Sequence, residues 1–409
     1  MESLRELYRY GHGPSSSHTM GPRKAAKDFV PKYGDQDHFE CELFGSLAAT
    51  GKGHLTDDAI KSVFEDRKLE FIWNPDTVKE LHPNALTLRA FDKKNKLVAE
   101  ETYYSVGGGK IVTENNFEVK PKEVYPQLLS HMSQILKYCS REGLQIWEIA
   151  VKYEGPEILD YMDEIWTIME NSVERGLLAE GVLKGGLKLQ RKACSYHTKA
   201  HDLAGPLGYT AKAISYALAV SEENAAGGKI VTAPTCGSCG VLPGVLHYLY
   251  KVYNIPKVKI LRALLTAGIV GNIIKTNGSI SGAEVGCQGE IGSACAMASA
   301  AACYLLGGTI YQIEYAAEMG LEHHLGLTCD PMMGLVQIPC IERNAMATMR
   351  ALNHATYALL SDGRHRVSFD DVIIHQGKDL GVSQQETIKK RLREVFHLSV
   401  QLCTLFLFF

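Results

Sequence analysis

The sequence lacks an excess of charge of either sign, which argues against one class of partner. Its 409 residues include 43 Lys and Arg against 46 Asp and Glu, so the formal net charge is only -3. A protein that binds nucleic acid or an anionic membrane needs a broad positive field, because phosphates must be neutralised. We therefore expect neither nucleic acid nor a membrane among the partners of this chain.

Long apolar segments are also missing. The opening residues Met-Glu-Ser-Leu-Arg-Glu hold no apolar stretch of the kind found in secretory signal peptides. The uncharged segment 291–306 has 16 residues, mostly Gly, Ser and Ala, fewer than the roughly 20 that cross a bilayer. It predicts a buried helix that packs closely against its neighbours, and we expect a cytoplasmic protein.

Without a secretory signal, the eleven cysteines do not indicate a disulfide framework. The cytosol keeps thiols reduced, so these residues are interpreted as free thiols, metal ligands or redox groups. Their positions in the chain therefore carry the functional argument.

No internal repeat or low-complexity linker divides the chain, but its hydrophobic period changes along its length. Period-two alternation predicts strands at 38–44, 69–73, 85–91 and 96–104. From Val124 onward the apolar spacing becomes helical. We predict an α+β protein, with a small α/β domain over residues 1–150, a larger all-helical domain over 155–387, and an atypical tail over 388–409.

The segment Gly11–Pro22 combines Ser15, Ser16 and Ser17 with His18 between two predicted helices, 4–10 and 20–29. Backbone N–H groups and hydroxyls at the start of a helix can bind a carboxylate or phosphate. An ordinary turn with a serine N-cap accounts for the same residues equally well.

A second turn, Gly51-Lys-Gly-His54, follows a predicted strand. His54 could accept a proton near neutral pH, although a plain surface histidine is the simpler interpretation. The order of a phosphate-binding loop, with Ser or Thr after Gly-Lys, is absent here.

Several cysteines stand at predicted helix boundaries. Cys236 and Cys239 form a Cys-x-x-Cys that fits a redox pair or half a zinc site, and we treat it as structural by default. Cys287, Cys329 and Cys340 each lie at a predicted break beside a helix. Three thiolates can hold a [4Fe-4S] cluster and leave its fourth iron open, whereas buried structural cysteines are the competing interpretation.

Five segments together resemble the iron-sulfur-dependent L-serine dehydratases of the bacterial single-chain type. They are Gly-Pro-Ser-Ser-Ser-His-Thr-Met-Gly-Pro, Thr-Ala-Pro-Thr, Ala-Glu-Val-Gly-Cys-Gln-Gly-Glu, Gly-Leu-Thr-Cys-Asp-Pro and Pro-Cys-Ile-Glu-Arg-Asn. The resemblance extends from residue 1 to about 387 in the family's order. It implies that Cys287, Cys329 and Cys340 bind a [4Fe-4S] cluster in a helical catalytic domain. It also implies that Ser15, Ser16, Ser17, His18 and His54 form the serine site, with His54 a candidate base.

The resemblance implies elimination of water from L-serine to give pyruvate and ammonia, with the open iron acting as a Lewis acid.

Three alternatives stay open from the residues. A related cluster enzyme could act on cysteine, because soft iron also binds thiolate. A pyridoxal-phosphate eliminase is disfavoured, since no lysine lies in a recognised Schiff-base motif. A zinc-stabilised helical binding protein could use Cys236, Cys239, His323, His324 or Cys329. A homodimer is expected as the commonest assembly.

The sequence departs from the family pattern at two places. Cys236 follows Thr-Ala-Pro-Thr where the family often has Asn-Gly or Ala-Gly, and the closing Tyr-Lys-Glu-Thr-Ser-x-Gly-Gly-Leu is missing after Thr387. Back-translation of 388–396 with a one-base shift yields that missing segment, so a frameshift is our hypothesis for the tail. Cys403, which lies in this tail, is not expected to be a ligand.

Overall fold

The computed structural model describes residues 1–117 and 122–378, so the hypothesis for the tail over 388–409 lies outside the described residues. The strands are β1 (Tyr10–His12), β2 (His38–Phe44), β3 (Lys68–Asn74), β4 (Ala85–Phe91), β5 (Leu97–Ser105), β6 (Ile111–Val112) and β7 (Lys229–Val231). The helices of the first part are α1 (Gly21–Tyr33), α2 (Gly45–Thr50) and α3 (Thr56–Phe64). Those that follow are α4 (Met132–Glu142), α5 (Ile146–Glu154), α6 (Ile158–Leu178), α7 (Ala193–Asp202), α8 (Gly205–Ala225), α9 (Val241–Val252), α10 (Lys257–Asn277), α11 (Gly282–Val285), α12 (Ser293–Leu305), α13 (Ile310–Glu322), α14 (Cys340–Leu360) and α15 (Phe369–Lys378).

The first part of the chain forms a five-stranded sheet in the order β3-β2-β4-β5-β6. Only the β2–β3 pair is parallel, and the other pairs are antiparallel. Helices α1 and α3 pack against one face of the sheet. Alternate strand residues, such as Phe39, Cys41 and Leu43 of β2, are buried on that face. The predicted strands are confirmed. The period-two pattern arises because successive side chains of a strand point to opposite faces of the sheet.

The later part is a helical assembly around α12, which packs against α9, α10, α13 and α14. Almost every residue of α12 is buried, so the prediction of a buried small-residue helix at 291–306 is confirmed. The α+β architecture is likewise as expected. Within the described residues, none of the helices combines the length and apolarity needed to cross a bilayer.

The extreme N-terminus joins the helical assembly rather than the sheet domain. Met1, Leu4 and Tyr8 are buried in the larger core, and the Tyr8 hydroxyl donates to the Leu264 carbonyl at 2.8 Å. The predicted helix over 4–10 is wrong. A single 3-10 turn at Leu4–Glu6 is followed by β1, which pairs antiparallel with β7. The backbone of β7 offers hydrogen-bond partners that override local helix propensity.

The small residues of α12 and α13 permit a close approach that an added methyl group would disturb. A Cβ at Gly320 would lie 2.6 Å from the Ala296 Cα. We expect Gly320→Ala to lower the free energy of unfolding by about 1–3 kcal/mol, because rigid backbone must shift. Gly271→Ala is the matched control, since its nearest obstacle is the flexible Met297 side chain. Equal denaturation midpoints for Gly320→Ala and the parent protein would contradict this packing argument.

Candidate active site

The segment Gly11–Pro22, which we name the serine loop, lies where the sheet domain meets the helical assembly. Residues Ser16–Met20 form a π-helical turn that runs directly into α1, and the Ser15 hydroxyl accepts from the His18 N–H at 3.1 Å. The N–H groups of Ser16 and Ser17 open this turn, where no preceding turn supplies intrahelical carbonyls. The loop therefore presents N–H donors and hydroxyls at the start of a continuous helical segment.

The serine loop is tied to the helical assembly through the end of α8. The Asn224 side-chain amide donates to the Pro14 carbonyl at 3.1 Å, and the Gly13 N–H donates to the Gly228 carbonyl at 3.2 Å. His12 Nδ1 donates to the Gly227 carbonyl at 2.9 Å. The position of the loop is thus set by residues some two hundred positions away in the chain.

His18 and His54 are neighbours, with ring centroids 4.7 Å apart. His18 Nδ1 lies 2.8 Å from Ser17 Oγ and Nε2 lies 2.9 Å from Ser46 Oγ, so both ring nitrogens are occupied. Burial, together with the nearby His54, lowers the pKa of His18 to about 3. His18 is therefore a neutral ring that holds the hydroxyl of Ser17 in place.

His54 differs from His18 because one ring nitrogen stays available. Its Nδ1 lies 3.0 Å from the Thr50 carbonyl, which can only accept, so Nδ1 carries the proton. Nε2 has no hydrogen-bond partner among the described residues. Burial lowers the pKa of His54 below 6.5, so at neutral pH Nε2 carries a free lone pair. The Thr19 hydroxyl also donates to the His54 carbonyl at 2.7 Å, which links this turn to the serine loop.

The three predicted cysteine ligands come from three separate segments of the chain. Cys287 precedes a π-helical turn, Gln288–Gly292, that leads into α12; Cys329 lies between α13 and α14; and Cys340 begins α14. The sulfur atoms of Cys287 and Cys329 and a carboxylate oxygen of Glu290 lie within 4.8 Å of one another.

The pKa shifts of the cysteines reflect this proximity. The proximity of the two thiols lowers the pKa of Cys287 and raises that of Cys329. Burial, and then the charge of Cys287, raise the pKa of Cys340. The fold thus brings the Cys287 and Cys329 sulfurs within 4.8 Å of each other, and Cys340 stands outside this group but within electrostatic reach of Cys287.

Glu290 belongs to this site, although reasoning from sequence assigned it no role. It is half-buried, and its Oε1 accepts from the Thr235 hydroxyl at 2.7 Å. A Cβ at Gly237 would lie 3.0 Å from Oε1, and one at Gly282 would lie 2.5 Å from Oε2. The signal available in the sequence was the three-residue spacing from Cys287 to Glu290, because residues three apart lie on one face of a helical turn.

Arg343 and Asn344, in the first turn of α14, connect the loops that surround the cysteines. Arg343 donates to the Thr328 carbonyl at 2.9 Å and pairs with Asp330 at 3.2 Å. The Asn344 amide donates to the Gly237 carbonyl at 2.7 Å and accepts from the Gly240 N–H at 2.9 Å. These bonds fix the loop of Cys329 and the Thr235–Gly240 loop relative to Cys340.

The serine loop and the cysteine loops adjoin. The Met20 sulfur lies 3.7 Å from the Cys236 sulfur, which joins the start of α1 to the loop that carries Thr235. On the other side, a Cβ at Gly53 would lie 3.4 Å from a methyl group of Leu335. Leu335 belongs to the segment between Cys329 and Cys340, so this segment contacts the turn of His54.

The ligands considered for a zinc site do not assemble in the described part of the chain. Cys236 and Cys239 are buried, which raises the pKa of both thiols. His323 Nδ1 lies 3.0 Å from His354 Nε2, and His324 Nδ1 donates to the Gly320 carbonyl. Over residues 1–117 and 122–378, the cluster of candidate metal ligands is Cys287, Glu290 and Cys329.

The donor set at the cysteines suits an iron-sulfur group. Thiolates are the ligands that select iron-sulfur clusters and zinc among biological metal centres. Three thiols from different segments of the chain, with two sulfurs within 4.8 Å of each other, can hold such a group while leaving one iron without a protein thiolate. The residues present therefore fit the cluster that the sequence motifs predict.

Two family models match the chain, and together they cover nearly all of it. The serine dehydratase beta chain matches residues 3–69 and 61–116, and the serine dehydratase alpha chain matches residues 110–392. An L-serine dehydratase of Streptomyces coelicolor is 40% identical over 95% of this chain and 97% of that protein. L-serine dehydratases of Haemophilus influenzae and Escherichia coli, the latter named L-serine dehydratase 2, are each 38% identical over 95% of this chain and 97% of the relative.

Proposed function

The chain belongs to the serine dehydratase family and is a lyase of the L-serine dehydratase type, and from this premise we propose a [4Fe-4S]-dependent elimination. L-serine loses water and gives pyruvate and ammonia, and Cys287, Cys329 and Cys340 hold the cluster. The observation that supports this proposal most directly is the convergence of cysteine side chains from separate loops beside Glu290 and Thr235.

Cys287, Cys329 and Cys340 would hold the cluster, which would supply a Lewis-acidic iron for the departure of the substrate hydroxyl. Hydroxide is a strong base and leaves poorly, and a bound iron would supply several kcal/mol of charge stabilisation as it departs. Arg343 and Asn344 contribute by fixing the loops on which Cys329 and Cys340 lie. Stable placement of these loops keeps the leaving group aligned with the other substrate contacts.

The serine loop binds the substrate carboxylate. The N–H groups of Ser16 and Ser17 stand at the positive end of the helical turn that continues into α1, where an anion is stabilised. The hydroxyls of Ser15 and Ser17 lie 3.4 Å apart at the same turn and add hydrogen-bonding capacity. His18 keeps Ser17 in position through its Nδ1.

His54 removes the α-proton. Its neutral ring, with the proton on Nδ1, leaves Nε2 as the acceptor, and general base catalysis of this kind contributes roughly 10²–10⁴-fold. The electron pair of the broken C–H bond forms the new carbon–carbon double bond as hydroxide departs, and the hydroxide takes up the proton from His54 to become water. The resulting aminoacrylate tautomerises to an imine, which water hydrolyses to pyruvate and ammonia.

A cytoplasmic location and a homodimeric assembly are proposed together with the function. Ten cysteines of the described residues are free, which suits a reducing cytoplasm. The small net charge gives no field for nucleic acid. A homodimer is the commonest symmetric assembly of such chains, and the native mass of the protein checks it.

Protein purified without oxygen tests the proposed function. We expect about four irons and four sulfides per chain, with pyruvate formed from L-serine and little or no product from L-cysteine. Exposure to air should abolish turnover as the exposed iron is lost. Full activity in protein stripped of iron would overturn the proposal, and faster turnover of L-cysteine would instead indicate a desulfidase.

A further inference from the structure

The proposed contacts leave one group of the substrate without a partner. L-serine at neutral pH carries an ammonium group in addition to its carboxylate and hydroxyl. The serine loop accounts for the carboxylate, and the cysteine loops account for the hydroxyl. An ammonium group removed from water without an acceptor is strongly disfavoured, so the site needs an anion at a third position.

Glu290 supplies a carboxylate whose charge has no cationic partner among the described residues. The nearby guanidinium of Arg343 pairs with Asp330 and donates to the Thr328 carbonyl. The one hydrogen bond to the Glu290 carboxylate comes from the neutral Thr235 hydroxyl, and it reaches Oε1. Oε2 receives no donor from the described part of the chain, so it can accept from a ligand.

Glu290 is linked to both sets of proposed substrate contacts. One carboxylate oxygen is within 4.8 Å of the sulfurs of Cys287 and Cys329. Through Thr235 the same carboxylate is bonded to the loop whose Cys236 contacts Met20 at the end of the serine-loop turn. Gly237 and Gly282 make room for the carboxylate at this position, because a Cβ at Gly237 would lie 3.0 Å from Oε1 and one at Gly282 would lie 2.5 Å from Oε2.

We propose that Glu290 binds the α-ammonium group of the substrate and so determines specificity for an amino acid over the corresponding hydroxy acid. This inference rests on the proposed function, because it takes L-serine as the substrate. Three fixed contacts, at the serine loop, the cysteine loops and Glu290, also define one enantiomer. The Thr235 hydroxyl is a positioning group that holds Oε1 and leaves Oε2 to the ligand.

The variant Glu290→Gln tests this role, because it keeps the shape of the side chain and removes its charge. Loss of a hydrogen bond to a charged group weakens binding about 10- to 100-fold, and we expect the KM for L-serine to rise by that factor. β-Hydroxypropanoate, which is L-serine without its amino group, is the inhibitor to be tested beside it. Its inhibition constant should change less than about threefold, or should improve as repulsion from the carboxylate is removed.

Iron content and a matched variant separate this role from others. Glu284→Gln is the control, since Glu284 is an exposed residue of α11 in the same segment, bonded to Ser279, and it should leave both constants unchanged. Thr235→Val should raise the KM for L-serine more modestly, with β-hydroxypropanoate unaffected. Iron and sulfide per chain should be equal in the parent protein and both Glu290 and Thr235 variants.

Three results would overturn the inference. An unchanged KM for L-serine, an equal weakening of L-serine and β-hydroxypropanoate, or a loss of iron from Glu290→Gln would each assign Glu290 to another role, the last to that of a metal ligand. If the parent protein forms no pyruvate, the proposed function fails separately. Calorimetric titration of L-serine into the parent protein and Glu290→Gln then still measures whether Glu290 binds the ammonium group.

Discussion

Replacing Cys287 with serine is expected to remove most of the bound iron and to lower kcat/KM for L-serine by about 10³-fold or more, because several kcal/mol of leaving-group stabilisation are lost with the metal. Cys287 is central to the thiol group. Its sulfur lies within 4.8 Å of the Cys329 sulfur, and its charge adds to burial in raising the pKa of the Cys340 thiol. A serine hydroxyl is a much poorer ligand for iron-sulfur centres than a thiolate.

Two other cysteine variants control for general effects of losing a thiol. Cys303 is buried on α12, the same helix that Cys287 precedes, and Cys194 is a half-buried residue of α7. Cys303→Ala and Cys194→Ser should keep their iron, sulfide and activity, measured without oxygen. Full iron content in Cys287→Ser, or an equal loss in Cys303→Ala, would show that Cys287 holds no cluster.

Replacing His54 with asparagine is expected to lower kcat for L-serine roughly 10²–10⁴-fold, the usual contribution of a positioned general base. Asparagine can donate to the Thr50 carbonyl as His54 Nδ1 does, but it offers no basic nitrogen. The KM for L-serine and the iron content should change little, because the substrate carboxylate and the cluster are held by other residues.

The pH dependence of the same variant is a second readout for His54. Burial lowers the pKa of His54 below 6.5, so the neutral, proton-accepting ring persists as pH falls past 6.5. The acid limb of kcat should therefore lie below pH 6.5, and activity should be lost only as pH falls through the lowered pKa. His54→Asn should abolish this limb.

His82→Asn is the matched control for His54, because His82 is a half-buried histidine of the same domain whose pKa burial also lowers. It should retain both kcat and the acid limb. A kcat for His54→Asn within a fewfold of the parent value, or a limb that His54→Asn leaves in place, would assign the base to another group.

Sequence patterns predicted the strands and helices that depend only on the spacing of neighbouring residues. β2 and β4 have the bounds that period-two alternation indicated, and α12 is the buried small-residue helix expected at 291–306. The pattern failed at residues 4–10, where a strand pairing to β7 replaces the expected helix. The partner strand is three residues long and lies more than two hundred positions away, so no local period could reveal it.

At the candidate site, too, the sequence indicated some residues and missed another. The motifs identified the serine loop, His54 and the three cysteines as chemically capable groups, and their assignment as ligands and base stays a prediction. Glu290 was missed as a functional residue because its significance depends on its neighbours. The Thr235 hydroxyl donates to it, and the absence of a Cβ at Gly237 and Gly282 makes room for it.

The sequence by itself determined the secondary-structure periods, the supply of thiols, and the residue types available for binding an anion and moving a proton, because these follow from side-chain chemistry and near-neighbour spacing. Only the tertiary structure decided that the sulfurs of Cys287 and Cys329, forty-two positions apart, lie within 4.8 Å of each other, and that the end of α8 holds the serine loop in place. Such juxtapositions arise from how α12, α13 and α14 pack and where β1 pairs, and packing depends on the whole chain at once.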